Sequence, residues 1–126
     1  MSRKLGVLGL LVLSMGLSSC ALFKKREQTR SDEPVTLQVE NRNWSDIVIY
    51  AMVNGTRTRL TNVGATRSVT IRLPQALMAS SQMLELVLDP LGSRSAFRTG
   101  GILVNSGQRV RLLIENELRL TTWSVQ

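Results

Sequence analysis

From Val35 onward, apolar residues recur at every second position in short runs, and most of these runs stop at Gly, Pro or Asn. A period of two puts alternate side chains on opposite faces of an extended chain, whereas a helix needs apolar spacings of three and four. The stretch VTLQVEN sets Val35, Leu37 and Val39 against Thr36, Gln38 and Glu40. RSVTIRL groups Val69, Ile71 and Leu73, MLELVLD groups Leu84, Leu86 and Leu88, and RVRLLIE groups Val110, Leu112 and Ile114. DIVIYAMV is apolar on both faces, which suits a strand with neighbours on both sides and cover above and below. Asn54-Gly55 follows it directly and a second strand-like run comes next, the pattern of a two-residue hairpin whose central residues both need positive φ. Pro90-Leu91-Gly92 and Asn105-Ser106-Gly107 read as turns, and Gly100-Gly101 reads as a break in the chain. Only QALMASSQ departs from the period, with room for one helical turn. Six to eight short strands at regular spacing predict an all-β fold, a single small antiparallel β-sandwich over residues 34–126.

The first quarter of the chain follows different rules. Arg3 and Lys4 precede an apolar run from Leu5 to Leu17, which ends in Ser18 and Ser19. Basic start, apolar middle and small residues make a secretory signal, and the run is too short and too rich in glycine for a spanning helix of about 20 residues. Leu17-Ser18-Ser19-Cys20 resembles the lipobox of bacterial lipoproteins. The resemblance implies cleavage between Ser19 and Cys20, a diacylglycerol on the Cys20 thiol, and an acyl chain such as palmitate on the new amino group. Two or more acyl chains hold a protein on a bilayer, where one binds only reversibly. Ala21 rather than Asp stands second in the mature chain, which by the same resemblance implies the outer membrane, facing the periplasm. Lys24, Lys25 and Arg26 are placed to meet anionic headgroups, and Glu27 to Glu33 contains no apolar residue. The chain therefore divides into a signal peptide (1–19), a lipidated and flexible basic tether (20–33) and the sandwich (34–126).

Asn41-Arg42-Asn43-Trp44 ahead of the DIVIY strand, with Gly55 and Asp89-Pro90-Leu91-Gly92, is similar to the immunoglobulin-like and transthyretin-like modules of small cell-envelope lipoproteins. The antibody-type cysteine pair is missing. No catalytic residue is implied by this resemblance.

The absence of histidine removes Ser-His-Asp and Cys-His catalysis and the main nitrogen ligand of zinc sites. Cys20 is the only cysteine, and lipid consumes it on this reading. Glu85, Asp89, Glu115 and Glu117 read as surface acids, and Met78 and Met83 as packing residues rather than copper ligands. Asp46 reads as a loop-fixing side chain. No enzyme, metal site or cofactor is expected beyond the covalent lipid on Cys20. All ten basic residues after Pro34 are arginine, against six acids, too mild a bias for a nucleic-acid partner. Arg57, Arg59, Arg72, Arg109 and Arg111 fall at outward positions of their strands. If those strands adjoin, the arginines form a basic sheet face for an anionic glycan or lipid headgroup; they equally serve solubility and the blunting of sheet edges. Trp44 and Trp123 are either contact residues or packing volume. The expected function is a non-catalytic binding or assembly module of the cell envelope, anchored by lipid and meeting an envelope protein. The alternative is anionic glycan or lipid-headgroup binding through the arginines.

Overall fold

Asn54 and Gly55 both adopt positive φ, 51° and 79°, and join β2 (Ile47–Val53) to β3 (Thr56–Val63) as the hairpin pattern requires. The computed structural model describes residues 33–79 and 82–126. The remaining strands there are β1 (Thr36–Asn41), β4 (Ser68–Arg72), β5 (Met83–Pro90), β6 (Phe97–Leu103), β7 (Arg109–Ile114) and β8 (Thr122–Val125). A five-residue helix, α1 (Gln75–Ala79), occupies part of the stretch that broke the period.

The strands form two four-stranded sheets. Sheet one has the order β4-β1-β7-β8 and sheet two the order β3-β2-β5-β6. Leu37, Val39, Val110, Leu112 and Ile114 from sheet one meet Ile47, Ile49, Leu84, Leu86 and Leu88 from sheet two, all fully buried. Apart from Ile47 and Ile49, whose strand reads as apolar on both faces, these are the side chains that the period of two placed together. Burying each such aliphatic side chain contributes about 1.5–3 kcal/mol, which is what holds the two layers together.

Three details differ from the expected antiparallel sandwich. First, β1 and β7 run parallel, Thr36 opposite Arg109 through Asn41 opposite Ile114. Alternation specifies which face of a strand is buried, not the direction of its neighbour. Second, Gly100-Gly101 does not break the chain. Both residues lie within β6, where the pairing with β5 shifts register between Glu85 and Val87. Gly100 has φ 76°, a conformation suited to glycine, so the pair makes a bulge. Third, Val87 points outward yet is buried; Tyr50 and Arg98 are its register neighbours on either side.

The sandwich has two poles. The proximal pole holds Glu33, whose carbonyl accepts from the Gly107 N–H at 3.0 Å, together with the Asn54-Gly55 turn and α1. The distal pole holds the β1–β2, β3–β4, β5–β6 and β7–β8 connections.

Candidate functional site

At the distal pole β1 ends in Asn41, buried although polar, and the next connection carries Asn43, also buried. The Asn41 side-chain amide donates to the carbonyls of Ser45 (3.0 Å), Val63 (3.2 Å) and Gly64 (3.0 Å). Its oxygen accepts from the Asn43 N–H at 2.9 Å. Asn43 repeats the arrangement one step on. Its amide donates to the carbonyls of Glu115 and Asn116, and its oxygen accepts from the Ser45 N–H at 2.9 Å. Asparagine suits both places because one short side chain supplies donors and an acceptor that mimic a backbone turn. Asp46 completes the network: its carboxylate accepts from the Ala65 N–H and its carbonyl from the Leu91 N–H, each at 2.9 Å. Thus Asp46 ties the β1–β2 connection to the β3–β4 connection, rather than fixing its own preceding loop.

Trp44 stands at the crest of this clamped connection and is 82% exposed. It is not packing volume. A large aromatic held in water by a rigid backbone loses little conformational freedom when a partner covers it. Leu91, 55% exposed, lies on the connection that bonds to Asp46. Arg42 is held by Glu40 at 2.9 Å and Glu115 at 3.4 Å. The hydrogen bond and charge of Glu40, with a smaller share from Glu115, push its guanidinium above the ordinary arginine range, so it stays charged throughout.

The five outward arginines do not share one face. Arg57 and Arg59 lie on β3 at the edge of sheet two, and the Arg57 guanidinium stacks 4.8 Å over the Tyr50 ring. Arg72, Arg109 and Arg111 lie on sheet one. Arg72 and Arg109 flank Thr36 in one register row, and Arg111 opposes Gln38 and Ser124 two residues along. Alternation gives each arginine's outward direction but not the layer its strand joins. Trp123 pairs with the buried Leu112 from edge strand β8 and is itself 40% exposed. Cys20, the Ser19–Cys20 cleavage point and residues 20–32 of the basic tether lie outside the described residues.

Among the described residues, no group of three His, Cys, Asp or Glu side chains gathers closely enough to hold a metal ion. Glu85 is bound to Arg98 at 2.7 Å, and Met83 lies over Gly101 on the outer face of sheet two.

No family model and no curated protein matches this chain. Solved structures do. The C-terminal domain of AlgF from P. aeruginosa superposes with a TM-score of 0.55 at 15% identity, covering 75% of this chain and 100% of that domain. A protein from Eubacterium rectale, solved by NMR, gives 0.45 at 14% identity, covering 76% of this chain and 89% of that one. The AlgF likeness supports a small β-rich sandwich domain and extends to the fold alone.

The asparagine clamp went unread in the sequence as a functional feature. The available signal was two asparagines at alternate positions between strands, directly followed by an aromatic.

Proposed function

We propose that this chain is a lipoprotein of the bacterial cell envelope, anchored through acylated Cys20 and placed on the periplasmic side of the outer membrane. There its sandwich works as a non-catalytic binding or assembly module. One observation carries the reading of the domain: Trp44 is 82% exposed on a connection clamped by two buried asparagines, at the pole opposite Glu33. A module anchored by its N-terminus turns that pole toward partners. Exposed aromatics in the centre of a contact surface are the usual anchors of protein–protein binding, so the partner is an envelope protein that covers Trp44 and Leu91.

Two measurements test the two halves separately. Metabolic labelling with a fatty acid marks the wild type and not Cys20→Ser; equal labelling of both overturns the anchor. A photocrosslinking residue at position 44, in living cells, captures one dominant protein partner that the same residue at position 59 does not. Equal capture from both positions overturns the distal-pole assignment.

A further inference from the structure

The arginines that fail to share a face share a pole. Arg72 and Arg109 occupy the first register row of β1, beside Thr36, at the end where Glu33 lies. Arg57 sits two residues after the Asn54-Gly55 turn at that same end, on the other sheet. Arg59 and Arg111 follow one alternation further from the pole. None of these five has a carboxylate partner among the described residues, where the ion pairs are those of Arg42, Arg98 and Arg119. The acids are distributed the other way. Among the described residues, Glu40, Asp46, Asp89, Glu115 and Glu117 lie toward the distal pole, and only Glu33 and Glu85 lie in the proximal half, the latter bound to Arg98. The five distal acids offset the arginines of the distal half, so the net positive charge of the domain is concentrated at the end where the chain comes in.

Geometry selects the kind of anion. Arg57 projects from the outer face of sheet two, and Arg72 and Arg109 from the outer face of sheet one, so the two groups point away from each other. A linear polymer lying along one face meets only one group. A plane pressed against the pole meets both, because the long arginine side chains reach the strand ends, Arg57 by leaving the Tyr50 ring on which its guanidinium stacks. The last register pair of sheet two adds a second requirement of a bilayer surface. Met83 and Leu103 oppose each other there, 50% and 59% exposed, so the same pole carries both exposed apolar side chains and arginines, the two components of a membrane-interface contact.

We infer that the proximal pole seats on an anionic lipid surface, with Arg57, Arg72 and Arg109 against the headgroups. On the anchored reading above, this seating holds the domain upright and turns Trp44 away from the bilayer. It also accounts for the arginines without requiring a bound glycan.

The seating is measured on the full chain carrying Cys20→Ser, so the outcome does not depend on lipidation. The probes are vesicles of phosphatidylcholine alone and vesicles containing phosphatidylglycerol, sedimented at low salt. Each basic group beside an anionic surface is worth about fivefold in binding. Replacing Arg57, Arg72 and Arg109 together by Gln weakens association with the anionic vesicles by about tenfold or more and leaves neutral vesicles unaffected. Replacing Arg42, Arg67 and Arg94 by Gln removes the same charge from the distal pole and changes it less than about twofold, on the same per-charge scale. Lysine at positions 57, 72 and 109 restores binding, which separates lost charge from lost folding. Equal weakening by the two triple variants, or none by the proximal one, overturns the seating. So does tight binding to soluble polygalacturonate without binding to the anionic vesicles.

Discussion

Asn41→Ala tests the clamp that presents Trp44. The substitution removes four hydrogen bonds at once, and two of them are buried: the one accepted by the Val63 carbonyl and the one donated by the Asn43 N–H. A buried polar group left without a partner costs about 1–3 kcal/mol. Two such groups, with part of the loss at Ser45 and Gly64 recovered by water, give about 3–5 kcal/mol. A domain of this size has a total stability of about 5–14 kcal/mol, so the loss lowers Tm by about 15–30 °C. Urea denaturation followed by far-ultraviolet circular dichroism reads it as a lower midpoint at unchanged slope. Asn41→Asp supplies the sign. The introduced carboxylate keeps the acceptor but faces carbonyl oxygens where the amide donated, so its pKa in the folded state lies above the ordinary value of about 3.9. The destabilisation is then full at neutral pH, shrinks as pH falls through the raised folded value, and below the unfolded value is reduced to the donor bonds that a single carboxyl O–H cannot replace. A loss under about 1 kcal/mol for Asn41→Ala, against the range above, refutes the clamp. A pH-independent penalty for Asn41→Asp refutes the donor role of the amide.

Three further predictions probe the frame. Leu86→Ala removes a fully buried side chain at the centre of β5 and costs about 2–5 kcal/mol in the same denaturation assay. Gly55→Ala places a Cβ at φ 79° in open space, so the cost is backbone strain alone, about 1 kcal/mol; a neutral result would mean that the hairpin can re-form around another turn. Glu85→Gln breaks the ion pair with the largely exposed Arg98 and changes stability by less than about 1 kcal/mol, a difference that added salt further reduces.

Much of the fold was legible in the linear pattern. The alternating runs named the core faces of β1, β5 and β7, and Asn54-Gly55 located the hairpin, because both signals are local and act through side-chain direction or backbone φ. The parallel pairing of β1 with β7 was not legible, since strand direction depends on how the intervening chain crosses between the layers. Gly100-Gly101 misled for a related reason: two glycines mark a break or a bulge equally well, and only the partner strand β5 decides which.

The candidate surfaces divide in the same way. Sequence alone determined the outward direction of the five arginines, because that direction rests on neighbours along the chain. It also singled out Trp44 but left open whether the ring was core or surface. Tertiary structure decided that Trp44 stands in water, because Asn41 and Asn43 spend their hydrogen bonds on carbonyls contributed by distant connections. It decided too that Arg57 and Arg109 belong to opposite layers but one pole. Direction from a strand is a local property; which layer a strand joins, and which end of it lies beside Glu33, are properties of the assembled sandwich.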